Sequence, residues 1–109
     1  MPRPRRLRRV WSEPTTTYFK PAGVRMVSVE EIILTVDELE SIRLKDLEDL
    51  DQVKAAKKMG ISQPTFQRLY ESARKKIADS LINGKALRVE GGHYRMMIGR
   101  GFRGGRRFQ

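Results

Sequence analysis

Ser62, Gln63, Pro64, Thr65, Gln67 and Arg68 stand within seven consecutive positions, and most of these side chains are suited to contact nucleic acid. A glutamine amide can bridge adenine N6 and N7, and a guanidinium can bridge guanine O6 and N7; each good pair gives about 1–3 kcal/mol of discrimination. The Ser62 and Thr65 hydroxyls can donate to phosphate at the start of an apolar-periodic run, where a helix N-terminus adds its positive end. Rotated at about 100° per residue, the run turns Pro64, Gln67, Arg68, Glu71 and Lys75 away from Phe66. Gln63 lies in the first turn, at the end that would enter a major groove. Glu71 is discordant, because a carboxylate repels phosphate unless it accepts from a cytosine amine or pairs with Lys75 four residues on. Upstream, Lys54, Lys57 and Lys58 can contact phosphates, while Arg3, Arg5 and Arg6, stiffened by two prolines, can reach a minor groove or follow the backbone.

Other chemistries lack their residues. His93 is the only imidazole and there is no cysteine, which leaves no metal site, disulfide or thiol nucleophile to expect. Neither a phosphate-binding G-x-x-x-x-G-K-[ST] loop nor a G-x-S-x-G elbow occurs. Glu30, Glu31, Asp37, Glu38, Glu40, Asp46, Glu48 and Asp49 fit helix capping and a solvated face better than a magnesium site. The expectation is a protein with no enzyme activity and no cofactor. No apolar run approaches the roughly 18 residues of a membrane span, and no apolar stretch follows the basic start as in a secretory signal. A cytoplasmic location is expected, with no membrane partner.

The elements that must position these side chains are mostly helical. Thr35-Val36-Asp37-Glu38 reads as a capping box that opens a helix over residues 36–47, its stripe formed by Leu39, Ile42, Leu47 and Leu50, with Leu44 widening it. Asp51 caps a second helix over 52–59, and Gly60 ends it. Ser62 caps a third, with Pro64 in its first turn and Phe66, Leu69, Tyr70, Ala73, Ile77 and Leu81 on one face before Asn83-Gly84 stops it. Within residues 52–71, Ala55 and Ala56 are small enough for two helices to cross, Gly60 is the turn, and Met59, Ile61, Phe66 and Leu69 hold the pair together. That is the pattern of a helix-turn-helix. Segments 31–35 and 86–90 have strand character and could pair. The fold expected is mainly α, a three-helix helix-turn-helix domain with a short two-stranded ribbon and basic tails. Its divisions are 1–25 for a basic arm and extended wrap, anchored by Tyr18 and Phe19, 26–92 for the domain, and 93–109 for an Arg/Gly-rich tail.

With 109 residues and a net charge of +10, the chain has room for one domain with tails, and its charge is unevenly spread. Residues 1–25 carry +6, 26–50 carry −6, 51–84 carry +4 and 85–109 carry +6. The first nine residues show no apolar periodicity and are expected to form no element. The run from Gly99 interleaves Phe102 and Phe108 with arginine and glycine, like tracts that bind nucleic acid by charge and stacking. Ile82, turned toward solvent, points to cover by the C-terminal segment or by a second protomer. A homodimer suits a helix-turn-helix, since one unit reads few base pairs.

Several blocks together resemble a known family: Pro2-Arg3-Pro4-Arg5, Tyr18-Phe19-Lys20-Pro21-Ala22-Gly23, Leu34-Thr35-Val36-Asp37-Glu38-Leu39-Glu40, Gly60-Ile61-Ser62, Thr65-Phe66-Gln67-Arg68, Glu71-Ser72-Ala73-Arg74-Lys75-Lys76 and Asn83-Gly84-Lys85-Ala86-Leu87. They look like the prokaryotic Uncharacterised Protein Family 0251, small predicted DNA-binding proteins, and cover residues 2 to about 92. Within it the helix-turn-helix is similar to region four of sigma factors. The resemblance implies DNA binding and supplies no target. Many relatives carry cysteines near the positions of Leu7, Trp11 and Ser12, and their absence here argues against metal or redox sensing. Some relatives continue into a domain similar to iron–molybdenum cofactor-binding proteins, where this chain has its Arg/Gly run. The function expected is a transcription regulator reading duplex DNA. Its rivals are a packaging or RNA-binding protein working through the basic arms, and a module docking on RNA polymerase through the acidic first helix.

Overall fold

A computed structural model describes residues 7–97. The expected helices form where their caps stand. Thr35 Oγ1 accepts from the Glu38 N–H at 3.3 Å while Glu38 Oε1 accepts from the Thr35 N–H at 2.9 Å, closing the capping box that starts α1 (Val36–Ile42). A wider π-helical turn over Arg43–Leu47 extends α1, so the helical stretch matches 36–47. Asp51 accepts from the Lys54 N–H and caps α2 (Gln52–Met59); Ser62 accepts from the Thr65 N–H and caps α3 (Gln63–Asn83). Between α2 and α3, Gly60 takes a left-handed φ of 70°, a conformation that only glycine adopts without cost.

Five short strands complete the fold: β1 (Arg8–Val10), β2 (Tyr18–Phe19), β3 (Glu31–Leu34), β4 (Ala86–Val89) and β5 (Tyr94–Met96). The expected pairing of 31–35 with 86–90 is present as β3 parallel to β4, and β2 joins antiparallel on the other edge of β4. A separate parallel pair, β1 with β5, sets Arg8 opposite Tyr94 and Val10 opposite Met96. This corrects the reading of the first nine residues as free of structure. Neither three-residue segment has a local partner or a turn beside it, so only the folded chain brings them together. The Arg/Gly run from Gly99 and the residues before Leu7 lie outside the described residues.

Two apolar clusters share α3. Its first half packs Phe66, Leu69 and Tyr70 on Leu44, Ala55, Ala56 and Met59. Its middle packs Ala73 and Ile77 on Val10, Leu34, Val36, Leu87 and Val89 of the strands and α1. Phe66 and Tyr70 stack with centroids 5.8 Å apart, and the Tyr70 hydroxyl donates to Asp46 Oδ1 at 2.7 Å, tying the π-helical turn to α3. Two residues placed on the apolar faces lie off the core: Leu47 and Leu81 are both 77% exposed. Leu47 falls where the π-helical turn changes the period, and Leu81 extends past the strands that α3 covers. Phe19 is also exposed, and Tyr18 is held by the Arg88 guanidinium over its ring and by Glu31, not by the core.

The largest departure concerns the carboxylates of α1. Asp37, Glu38 and Glu40 are buried, not solvated, because strands and α3 enclose this helix. Asp37 Oδ2 accepts from Arg8 Nη1 at 2.8 Å. Glu40 takes Arg43 through Nε at 2.8 Å and Nη2 at 2.9 Å, and accepts the Trp11 N–H at 2.9 Å. Glu38 accepts from Lys76 Nζ at 2.8 Å and Ser72 Oγ at 2.6 Å, besides its capping bond. Burial pushes the Glu38 carboxyl up, but the bonds from Lys76, Ser72 and the Thr35 N–H outweigh it and hold its pKa below the ordinary value. Asp37 Oδ1 has no hydrogen-bond partner among the described residues. It faces Gly92, where φ is 108° and any Cβ would collide with it.

Removing one partner of a buried ion pair strands the other charge. Arg8→Ala is expected to destabilise the fold by about 3–5 kcal/mol in urea unfolding. A loss below about 1 kcal/mol, the worth of an exposed pair, would refute the buried link. Because the Glu38 pKa is lowered in the fold, its contribution is present above the ordinary value of 4.5 and is lost as pH falls through the lowered one. Glu38→Gln should therefore flatten the acid limb of stability and leave its shape above pH 6 unchanged.

Candidate nucleic-acid interface

The outward side of α3 is assembled by its two neighbours. β1, drawn in by Asp37, lays Arg8 along one flank, and a groove of about 610 Å³ opens between them, bordered by Arg8, Ser62, Thr65, Arg68 and Ser72. Ser62 Oγ caps the Thr65 N–H and donates to Thr65 Oγ1 at 2.8 Å, so the Thr65 hydroxyl keeps the proton available to a ligand. On the other flank α2 contributes Gln52, its first residue. Gln63 Nε2 donates to Gln52 Oε1 at 3.2 Å, Gln52 Nε2 donates to Gln67 Oε1, and Gln67 Nε2 donates to Glu71 Oε2 at 2.6 Å. Glu71 thus accepts from Gln67 and makes no ion pair with Lys75 among the described residues.

A second hollow of about 470 Å³ lies on the outer side of α2, bordered by Arg9, Trp11, Leu50, Lys54, Lys57 and Lys58. Trp11 is fixed there by its Nε1–H, which donates to the Lys58 carbonyl at 2.8 Å, with Lys58 Nζ 4.8 Å from the ring centroid. Arg9 lies against the turn: a Cβ at Gly60 would stand 3.0 Å from its Nε. Among the described residues the carboxylates pair with Arg8, Arg43, Lys76, Lys85 and Arg88. Arg9, Lys54, Lys57, Lys58, Arg68 and Lys75 have no ion pair there, so α2, α3 and β1 present positive charge outward.

The expected site residues therefore fall into groups. Ser62, Thr65 and Arg68 share the first groove; Gln63, Gln67 and Glu71 share the hydrogen-bonded chain; Lys54, Lys57 and Lys58 share the second hollow. Pro64 and Lys75 are exposed on α3, and Lys75 borders a shallow groove farther along beside Ile82. Arg3, Arg5 and Arg6 lie outside the described residues. Ile82 is 81% exposed, and no described residue covers it. Arg8, Arg9, Trp11 and Gln52 were not among the expected residues. The first three depend on the pairing of β1 with β5, which leaves no local signal; Gln52 could have been found as a polar first residue of α2 near the N-terminus of α3.

The family model described as "Protein of unknown function DUF134" matches residues 1–97. A UPF0251 protein of Thermoanaerobacter pseudethanolicus is 60% identical over 96 residues, which cover 88% of this chain and 81% of the relative. The chain belongs to the UPF0251 family. A relative of that name from Moorella thermoacetica is 57% identical over 97 residues, spanning 89% of this chain and 65% of the relative, and one from Dehalococcoides mccartyi is 54% identical over 92 residues, spanning 84% and 79%. No solved structure matches the chain. The described residues include no cluster of His, Cys, Asp or Glu placed to hold a metal, and no helix long and apolar enough to cross a membrane.

Trp11 is the only tryptophan, and it stands inside the α2 cation cluster. Titrating heparin at low salt is expected to change its emission. Reversing Lys54 and Lys57 to Glu should raise the midpoint by about tenfold or more, since each lost phosphate-type contact removes counterion release. An unchanged midpoint would show that polyanions dock elsewhere.

Proposed function

We propose that this UPF0251 protein binds duplex DNA through a helix-turn-helix formed by α2 and α3, and regulates transcription in the cytoplasm. The observation that carries this reading is the outward face of α3. It presents Gln63, Gln67 and Arg68 in its first two turns, with unpaired cations on the elements to either side. In this reading α3 enters the major groove, Gln67 and Arg68 meet base edges, and the Thr65 hydroxyl, Arg8 and the α2 lysines meet phosphates of the two strands. Arg3, Arg5 and Arg6, which precede β1 in the sequence, add phosphate contacts in this reading. A homodimer would supply the second half-site.

A packaging role through charge alone is the second reading, favoured by the α2 cluster, which faces outward without any base-reading side chain. Docking on RNA polymerase through α1 has lost its main support, because Asp37, Glu38 and Glu40 are turned inward.

The two nucleic-acid readings part on two variants, measured at about 150 mM salt. With sequence reading, Arg68→Ala lowers the preference for the best duplex over random duplex by about 1–3 kcal/mol, while Arg3, Arg5 and Arg6 to Ser weakens all duplexes alike and makes the salt slope shallower by about 2–3. With packaging, Arg68→Ala changes little and the arm variant removes most binding.

A further inference from the structure

Glu71 is the residue that the DNA reading leaves without a role, since a carboxylate on a groove-facing helix repels phosphate. Its hydrogen bond supplies one. The chain Gln63, Gln52, Gln67, Glu71 links three amides to an anion across two helices. An amide has a donating end and an accepting end, whereas an ionised carboxylate only accepts. Glu71 therefore requires Gln67 to turn its NH₂ toward it and its oxygen toward Gln52. Gln52 must then give its NH₂ to that oxygen and leave its own oxygen to accept from Gln63. The chain has a single direction because it ends on an anion.

We propose that Glu71, acting with Gln52 as a second positioning residue, fixes the polarity of the Gln67 amide so that it reads an adenine on one strand only. This deepens the reading of α3 as the base-reading helix and rests on it. Gln67 has two amide hydrogens and two oxygen lone pairs, and the chain uses one of each. One donor and one acceptor remain, the complement of adenine N7 and N6. The donor lies on the Glu71 side and the acceptor on the Gln52 side. A half-turn of the amide would exchange them and present the order suited to the reversed base pair. An amide held at both ends discriminates A·T from T·A, and one free to flip accepts both. Gln52 touches no base in this arrangement; it acts through Gln67.

Two measurements on the full chain test this. In the free protein, the side-chain NH₂ resonances of Gln67 should report its bond to Glu71 and move toward those of an exposed glutamine in Glu71→Gln, with the backbone amides of α3 unshifted beyond the neighbouring turn. Resonances already like those of an exposed glutamine in the parent chain overturn the proposal without reference to DNA. On duplex libraries, Gln67→Ala locates the base pair that Gln67 reads. At that pair Glu71→Gln and Gln52→Ala should each reduce the A·T over T·A preference by about fivefold or more, within the range of one good base contact. The preference at the Arg68 position should stay in place. Preferences that survive both variants, or that fall equally at every position, overturn the proposal. A parent chain with no base preference overturns the reading of α3 and this inference with it.

Discussion

The ion pair between Arg8 and Asp37 joins the start of the described chain to its central helix, and the arrangement of the cationic side beside α3 follows from that join. α1 carries three buried carboxylates, and each needs a cation or an N–H from another residue. Asp37 draws in Arg8, Glu40 takes Arg43 and the Trp11 N–H, and Glu38 holds Lys76 and Ser72 of α3. A buried charge left unpaired costs several kcal/mol, so these contacts specify where β1 and α3 lie relative to α1. β1 therefore runs beside the turn between α2 and α3, where Arg9 rests on Gly60.

The same arrangement sorts the charge. A segment with a balance of −6 would, if solvated, offset the cations around it. Three of its eight carboxylates, Asp37, Glu38 and Glu40, are instead buried against Arg8, Lys76 and Arg43, and the exposed cations Arg9, Lys54, Lys57, Lys58, Arg68 and Lys75 have no ion pair among the described residues. Positive potential at that surface raises the encounter rate with any polyanion, while the glutamines and Arg68 add groups that can tell bases apart. In the proposed reading, charge and base recognition fall to neighbouring but separate side chains.

The helices were legible in the sequence because their signals are local: Thr35, Asp51 and Ser62 cap, Gly60 and Gly84 stop, and apolar spacing marks the buried faces. The pairing of β3 with β4 showed as two short apolar runs, whereas β1 with β5 did not, since Arg8–Val10 reads as the end of a basic run and its partner as the start of a tail. The inward carboxylates were missed for a related reason. An acidic helix looks solvated until the cations that neutralise it are brought from residues far along the chain. For the candidate site, the α3 residues could be read from helical rotation alone, while Gln52, Arg9 and Trp11 required the tertiary arrangement. Leu47 and Leu81 show the opposite error, where periodicity continues past the surface that the fold covers.

The central claim is that α3 reads duplex DNA by sequence. Selection of the purified chain against random duplex DNA at about 150 mM salt, followed by sequencing of the retained molecules, tests it most directly. The account predicts a recurring motif with an adenine and a guanine among its fixed positions, and a palindromic repeat if the chain pairs with a second copy. Retention with no recurring motif, or no retention at all, would contradict it.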